Sequence, residues 1–316
     1  MNLMELRSVK KHFEVAKGKT LHAVDGVSLS IKENEIVGLV GESGCGKSTL
    51  GRTIVGLYDK TDGEIWFQGE KLPQSYTADD YTRYSRHIQM IFQDPYSSLN
   101  PRMTVREIIA EGPRIHGIWK SNEVADRVAE SLRRVGLAAD HMSRYSHEFS
   151  GGQRQRIGIA RALALEPRFI VCDEPISALD VSIQAQVVNL LGELKDRYGL
   201  TLLFIAHDLS MVRYISNRMS VMYLGAMIEL GQSDEVYFNP LHPYTQLLIQ
   251  SNPMPDPTAE KARPYQELKG EIPTPVNLKP GCRFAGRCPK VMDHCLKVTP
   301  EWKEEKLGHF VACHLY

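Results

Sequence analysis

The sequence has no long hydrophobic run and no excess of charge of either sign. No apolar stretch approaches the roughly 20 residues that a helix needs to cross a bilayer, which disfavours a membrane-spanning chain. The 38 lysines and arginines balance 38 aspartates and glutamates, so no strongly basic, nucleic-acid-binding face is indicated. The first residues, MNLMELRSVKKHF, contain no signal-peptide core. Together these absences predict a cytosolic globular protein.

Cysteine and proline are infrequent before residue 251 and concentrated after it. Four of the six cysteines and nine of the 17 prolines lie in residues 253–316. Because cytosolic thiols stay reduced, disulfides are a poor explanation for these cysteines. The shift in composition predicts a large domain over residues 1–250. It predicts a proline-rich linker and a small cysteine-bearing C-terminal domain over residues 251–316.

A glycine-rich loop stands between a predicted strand and a predicted helix. Residues 41–48 read GESGCGKS, in which two glycines bracket four residues and precede lysine and serine. The backbone N–H groups of such a loop can wrap a triphosphate, while Lys47 reaches its outer phosphates and Ser48 holds Mg²⁺. The apolar run Ile36–Val40 predicts a buried strand before the loop, and a helix is expected from Lys47. This context is the one that an ATP-binding loop needs.

Two further strings supply carboxylates and backbone donors. The run Phe169–Glu174 (FIVCDE) predicts a strand ending in two acids. Asp173 could hold Mg²⁺ through its water shell, and Glu174 could polarise the water that attacks a phosphate. Taken alone, two acids after a strand could equally form an exposed turn. Ser150–Gln153 (SGGQ) places backbone N–H groups at a predicted helix start, which is a favourable position for a phosphate.

In order along the chain, these motifs resemble those of the ATP-binding cassette (ABC) ATPases, over residues 1 to about 250. The resemblance implies an α/β fold of the P-loop NTPase class, with a parallel-sheet core, an antiparallel β-subdomain and a small cysteine-rich C-terminal extension. It implies a helical subdomain over about 95–166 that carries SGGQ. Within that region, Ser121 is expected to cap a helix that ends at Gly136. Two cassettes are expected to face each other head to tail, with each SGGQ capping the ATP of the other.

The resemblance assigns further roles by position. Gln93 matches a glutamine that touches Mg²⁺ and the lytic water, His207 matches a switch histidine, and Phe13 matches an aromatic residue that stacks on adenine. Asp180 belongs to a loop (SALD) through which the two cassettes touch, although it could also cap the helix that follows. The catalytic set is Glu174, His207 and Gln93, and the Mg²⁺ set is Ser48, Gln93 and Asp173. The ATP set is Phe13, Gly41, Glu42, Ser43, Gly44, Cys45, Gly46, Lys47, Ser48, Thr49, Ser150, Gly151, Gly152, Gln153 and Asp180.

Longer stretches narrow the resemblance to one subgroup. HEFSGGQRQR (147–156), ALDVSIQAQ (178–186), HPYT (242–245) and the cysteine tail look like the ATPase subunits of bacterial dipeptide and oligopeptide importers, in particular the F-type subunit. Nickel and glutathione importers share the pattern, so their cargoes stay open as alternatives. A soluble ABC ATPase acting on nucleic acid or ribosomes is a rival, which the balanced charge and the single cassette disfavour.

The same resemblance implies partners and a location. The expected partners are a paralogous ATPase subunit in a head-to-tail dimer, two transmembrane permease subunits and an extracytoplasmic peptide-binding protein, with no nucleic acid. The chain is then expected at the cytoplasmic face of the cell membrane, attached through the permease subunits. ATP and Mg²⁺ are the cofactors implied for the cassette.

The tail carries four cysteines that could bind a metal. Cys282, Cys288, Cys295 and Cys313 are separated by five, six and 17 residues, which is neither a common zinc pattern nor a ferredoxin run. In the resembling importer subunits this tail is associated with a [4Fe–4S] cluster. Four thiolates suit zinc as well, with His294, His309 and His314 as alternative ligands. A tail without metal, its sulfurs simply buried or paired, is the remaining possibility.

Overall fold

The structure is a computed structural model that describes residues 1–251 and 273–316, and two β-sheets organise it. Most of the predicted proline-rich linker lies outside the described residues. The strands are β1 (Asn2–Ala16), β2 (Lys19–Lys32), β3 (Ile36–Val40), β4 (Asp62–Phe67), β5 (Glu70–Lys71), β6 (Ile88–Ile91), β7 (Phe169–Asp173), β8 (Thr201–Ile205), β9 (Arg218–Tyr223), β10 (Ala226–Gln232), β11 (Lys303–Lys306) and β12 (His309–Val311). The helices are α1 (Lys47–Ile54), α2 (Ala78–Ser85), α3 (Val105–Ile115), α4 (Val124–Arg134), α5 (Gly151–Leu163), α6 (Val181–Tyr198), α7 (Leu209–Ile215), α8 (Ser233–Phe238) and α9 (Pro243–Gln250).

The main sheet has eight strands in the order β11-β12-β10-β9-β3-β8-β7-β6. The strands from β9 to β6 run parallel, whereas β10, β12 and β11 are antiparallel to their neighbours. Alternate residues of β7 enter two apolar cores, one on each face: Ile170 and Cys172 on one side, Phe169 and Val171 on the other. Burial on both faces explains why these strands are continuously apolar. The predicted parallel-sheet core is confirmed.

The carboxyl ends of three neighbouring strands bring the predicted motifs to one edge of this sheet. β3 leads into the glycine-rich loop, β7 ends at Asp173, and β8 is followed closely by His207. The helix after the loop begins at Lys47, as the sequence predicted. In open parallel sheets, ligands bind in the crevice outside the carboxyl ends of the strands.

The second sheet is antiparallel, with four strands in the order β2-β1-β4-β5. Its inner face packs on α1 and on the main sheet, in a core that includes Leu6, Val27 and Ile65 from the strands and Leu50 and Ile54 from the helix. The antiparallel β-subdomain expected from the resemblance is therefore present. Its first hairpin, β1 and β2, forms one wall of the cavity described below.

Three helices, α3, α4 and α5, lie within the region 95–166 and pack on one another. α4 buries Val124, Val128 and Leu132 along one face. The prediction that Ser121 caps this helix was wrong, because α4 begins at Val124 and its N-cap residue, Glu123, makes no side-chain cap hydrogen bond. α5 begins at the SGGQ string.

The described part of the C-terminal region is joined to the main sheet. β12 pairs with β10 through Glu229 and Val311, so β11 and β12 extend the sheet at its edge. Residues 274–277 lie along β2, and short helical turns span 285–287 and 293–296. Within residues 1–251 and 273–316, no helix has the length and apolar character needed to span a membrane.

Candidate ATP site

The glycine-rich loop passes so close to other backbone that two of its positions admit only glycine. A Cβ on Gly46, whose φ is +107°, would run into the carbonyl oxygen of Ala23. A Cβ on Gly41, with φ +152°, would run into the carbonyl oxygen of Met222. Gly44 also has a positive φ, of +80°, but space is open around it. The loop is thus shaped by β2 and β9 on either side of it. Its Glu42 and Cys45 N–H groups donate to the Tyr244 hydroxyl and the Glu42 carbonyl, so its other N–H groups are the candidates for binding phosphate.

The Lys47 side chain is hydrogen-bonded to the backbone of the same loop. Its side-chain Nζ donates to the carbonyl oxygens of Gly41 at 2.7 Å and Glu42 at 3.1 Å, and the residue is only 4% exposed. The ammonium group therefore lies at the mouth of the loop, where a phosphate oxygen can take the place of these carbonyls. Cys45 is buried beside it, and this burial raises the pKa of the thiol, so the thiol is kept protonated. We assign Cys45 no catalytic role.

Ser48 and Asp173 form the pair that fits a divalent cation. The Ser48 hydroxyl donates to Asp173 Oδ1 at 2.6 Å. The other carboxylate oxygen, Oδ2, is buried and has no hydrogen-bond partner among the described residues. Burial raises the pKa of Asp173, because the charged form is poorly solvated there. An orphaned carboxylate oxygen next to a serine hydroxyl is the hard-oxygen donor set that Mg²⁺ prefers.

Three predicted catalytic residues meet at one carboxylate oxygen. Glu174 Oε2 accepts a hydrogen bond from the Gln93 amide at 2.8 Å and lies 3.8 Å from His207 Nδ1. The Glu174 backbone has φ +43°, a left-handed conformation that costs energy for a residue with a Cβ. Its N–H is tied to the Ile205 carbonyl at 3.0 Å, so the neighbouring strand β8 holds the carboxylate at the sheet edge.

One open cavity of about 260 Å³ is lined by residues of the glycine-rich loop, by Glu174 and by Phe13, the residue expected to stack on adenine. Phe13 lines it and packs edge-to-face against Tyr58, with ring centroids 5.5 Å apart. The residues lining the cavity are Phe13, Leu21, Ala23, Ser43, Gly44, Gly46, Lys47, Ser48, Thr49, Gln93, Glu174 and Pro275. Of the residues predicted for the site, Asp173 and His207 do not line this cavity, but Asp173 is hydrogen-bonded to Ser48 and His207 lies near Glu174.

Pro275 is a cavity residue that the sequence did not predict. The segment 274–277 adds to the edge of β2: His22 N–H donates to the Pro275 carbonyl at 2.8 Å, and Asn277 N–H donates to the Thr20 carbonyl at 2.9 Å. The Asn277 side chain accepts from Thr20 N–H and donates to the Gly18 carbonyl. The C-terminal region thereby forms a wall of the cavity near Phe13 and Leu21, and no local sequence signal marks it.

The SGGQ string lies at the N-terminus of α5 and is not among the residues that line this cavity. The Ser150 hydroxyl accepts from Gln153 N–H at 3.4 Å, and the Gln153 side chain accepts from Ser150 N–H at 3.1 Å, which forms a capping box. Gly151 and Gly152 form the first turn of the helix. Asp180 stands at the N-cap position of α6 without a side-chain cap hydrogen bond.

The four tail cysteines converge on one small enclosed space. Cys282, Cys288, Cys295 and Cys313 all line it, and the Cys282 N–H donates to the Cys295 carbonyl at 2.7 Å. Burial raises the pKa of the Cys282 thiol to about 11 and also raises the pKa of Cys288 and Cys313. Four convergent thiols held by backbone hydrogen bonds fit a metal centre, whose positive charge would stabilise the thiolate forms.

The three histidines named as alternative ligands differ in position. His314 lines the same space, and its ring lies 4.4 Å from that of His294. His309 is instead buried in β12, where its Nε2 lies 2.8 Å from Glu229 Oε1 on β10. His309 therefore links β12 to β10 and does not line the space of the four cysteines. Cys282, Cys288, Cys295 and Cys313 are called the thiol cluster below.

Comparisons with known proteins show the fold and the family of this chain. A family model described as "ABC transporter" matches residues 24–177, and one described as "Oligopeptide/dipeptide transporter, C-terminal region" matches residues 228–295. Among solved structures, the dimeric ATP-binding cassette MJ0796 in a post-hydrolysis state with ADP and Pi is similar, with a TM-score of 0.66 and 30% identity over 73% of this chain and 98% of that one. The fold and these matches are those of an ATP-binding cassette of a transporter.

Closer relatives define the family. The oligopeptide transport ATP-binding protein OppF of Escherichia coli is 53% identical over 98% of this chain and 95% of its own length. AppF of Bacillus subtilis, with the same description, is 52% identical over 99% of this chain and 97% of its own length. The chain belongs to the family of oligopeptide transport ATP-binding proteins.

Proposed function

We propose that this chain binds and hydrolyses Mg²⁺-ATP and that the hydrolysis powers import of oligopeptides through a membrane ABC transporter. The observation that carries the proposal is one cavity lined by the phosphate loop, Gln93 and Glu174. Asp173, with its orphaned carboxylate oxygen, is hydrogen-bonded to Ser48 of that lining, and His207 lies 3.8 Å from Glu174. Full-length similarity to oligopeptide transport ATP-binding proteins supports the cargo class. The nickel and glutathione alternatives have no comparable support, and neither has an action on nucleic acid.

Each site residue has a distinct task in the proposed reaction. The loop N–H groups and Lys47 bind the phosphates, and Phe13 offers its ring to the adenine base. Ser48 and Asp173 would hold Mg²⁺, which neutralises charge on the outer phosphates when bound. Glu174 accepts a proton from the attacking water, while Gln93 and His207 fix the orientation of its carboxylate. The left-handed backbone at Glu174 keeps that carboxylate facing the phosphates.

The reaction is proposed to need a second cassette. Because Ser150–Gln153 do not line the cavity of their own chain, a partner's SGGQ would cap the γ-phosphate with the N-terminus of α5. In the cell the partner is a paralogous ATPase subunit. Two permease subunits would dock near Gln93 and the helical region and keep the chain at the cytoplasmic face of the membrane, and a peptide-binding protein would deliver cargo from the other side.

The need for a second cassette predicts that ATP hydrolysis depends on protein concentration. The purified chain should show a specific activity that rises with its concentration, or on addition of the paralogous subunit, because the complete site forms only on association. The measurement is phosphate release per chain over a 100-fold range of concentration at saturating Mg²⁺-ATP. A constant specific activity over that range, from a chain that light scattering shows to be monomeric throughout, would show that one chain holds the whole site.

We further propose a [4Fe–4S] cluster on the four tail cysteines. A mononuclear zinc site with bonds of about 2.3 Å would bring its sulfurs within roughly 3.8 Å of one another. Among the described residues, the groups of three or more ligand atoms that lie within 4.8 Å of one another do not include these thiols. This disfavours a single zinc ion, and the proposal of a cluster rests on the four cysteines that line one space.

Metal analysis tests this assignment. Protein purified anaerobically should contain about four irons and four sulfides per chain and absorb broadly near ~400 nm. Cys295→Ser should lose iron, whereas Cys45→Ser, which changes a cysteine outside the tail, should retain it. One zinc per chain in place of iron, or no metal in the wild-type chain, would contradict the cluster.

A further inference from the structure

Arg287 connects the cysteine-bearing region to the phosphate loop. Its guanidinium donates to both carboxylate oxygens of Glu42, with Nη1–Oε2 at 2.7 Å and Nη2–Oε1 at 2.9 Å. The two side chains are only 6% and 15% exposed. Glu42 is the second residue of GESGCGKS. A bidentate pair of this kind fixes orientation as well as distance, so the loop is held in place by a residue 245 positions later.

Glu42 is also held from a second direction. Its backbone N–H donates to the Tyr244 hydroxyl at 2.8 Å. Tyr244 packs against Tyr223 and Phe284, with ring centroids 4.6 Å and 5.4 Å away. The guanidinium of Arg287 contacts the Tyr223 hydroxyl at 3.3 Å. An aromatic cluster therefore surrounds the ion pair and leaves Arg287 little freedom to release Glu42.

The other end of this connection is the thiol cluster. Arg287 ends the short helical turn Ala285–Arg287, and Cys288 follows directly. Cys288 N–H donates to the Ala285 carbonyl at 3.4 Å, and Phe284 and Ala285 line the same enclosed space as the four cysteines. The positions of the thiol of Cys288 and of the Arg287 side chain are consequently set by the same turn.

The contacts that begin at Arg287 continue through Glu42 to Lys47. The Glu42 carbonyl accepts from Lys47 Nζ at 3.1 Å, so Glu42 connects the ion pair to the residue that binds phosphate. We propose that Arg287 is a positioning residue that couples the thiol cluster to the phosphate loop, so that an intact thiol cluster strengthens ATP binding and bound ATP protects the thiols. Such coupling is reciprocal by thermodynamic necessity. The inference rests on the proposed ATP site.

The test compares Arg287→Gln with a matched control. Arg283→Gln breaks a similar ion pair of the same region, but Arg283 contacts Asp25 on β2 at 2.6 Å and not the phosphate loop. Arg287→Gln should weaken binding of a non-hydrolysable ATP analogue by about fivefold or more, and Arg283→Gln should not. Arg287→Lys should fall between them, because lysine keeps the charge but loses the bidentate geometry.

A second readout is independent of ATPase activity. Alkylation of the tail cysteines in protein as isolated, which requires any bound metal to leave first, should slow at least fivefold when the ATP analogue binds to the wild-type chain, as followed residue by residue by mass spectrometry. This protection should disappear in Arg287→Gln. Glu42→Gln breaks the pair from the other side, and it should likewise abolish protection if the arginine variant proves unstable.

The outcomes separate this inference from the proposed function. If wild-type chain binds the analogue but its thiols react equally fast with and without it, the coupling is wrong and the ATP site stands. Equal analogue affinity in the wild type and Arg287→Gln would also overturn the coupling. If the wild-type chain fails to bind the analogue, both the ATP site and the coupling are wrong.

Discussion

Replacing Glu174 with glutamine is expected to lower ATP hydrolysis by about 10²–10⁴-fold, which is the usual contribution of a general base, while ATP binding is retained. Glutamine keeps the size of the side chain and can still contact Gln93, 2.8 Å away in the native chain, but it cannot accept a proton from water. Because the step that would open a closed pair of cassettes is blocked, ATP should hold the variant in a dimer. Phosphate release and light scattering in the presence of Mg²⁺-ATP measure the two effects.

The control is Glu193→Gln, which makes the same chemical change on an exposed position of α6. It should hydrolyse ATP at the wild-type rate and should not accumulate a dimer. Unchanged turnover in Glu174→Gln would show that another group activates the water. Loss of ATP binding in that variant would place Glu174 in the binding of ATP and not in its hydrolysis.

Lys47→Ala is expected to weaken ATP binding by about 100-fold or more. A charged hydrogen bond contributes about 1.5–3 kcal/mol, and Lys47 is placed to make more than one with the outer phosphates. The substitution also removes the donor that satisfies the Gly41 and Glu42 carbonyls. Isothermal titration calorimetry with ATP and Mg²⁺ measures the affinity. A thermal melt without nucleotide measures how far the substitution lowers the unfolding temperature.

Lys71→Ala is the matched control for this change. It removes an exposed lysine of β5 that pairs with Glu64 at the surface, where such pairs contribute little. Its ATP affinity should equal that of the wild type. Wild-type affinity in Lys47→Ala, with the fold intact, would contradict the assignment of GESGCGKS as the phosphate loop.

The ATP site could be predicted from sequence because local patterns determine its parts. A buried strand followed by glycines that tolerate positive φ and then a helix start is a contiguous pattern, and β3 and α1 follow it closely. The acids after β7 and His207 after β8 meet the loop because parallel strands align their carboxyl ends. The C-terminal contacts have no such pattern: Pro275 and Arg287 reach the site from distant sequence positions, through an edge segment and an ion pair that only tertiary packing creates.

Residue type alone also failed to predict which residue caps a helix. Ser121 is a favourable capping residue by type, yet α4 begins three residues later at Val124, the first residue that enters the core. Asp180 shows the converse, because it occupies the N-cap position of α6 while its side chain makes no cap hydrogen bond. Burial of the apolar face, and not the nearest capping residue, decides where α4 begins.

The most direct test of the central claim, that ATP hydrolysis at Glu174 powers peptide import, is uptake of a labelled tripeptide by cells in which this chain has been replaced. Cells carrying the wild-type chain or Glu193→Gln should accumulate the peptide, and cells carrying Glu174→Gln at the same protein level should not. Equal accumulation with Glu174→Gln would contradict the account, because import would then proceed without hydrolysis at this site.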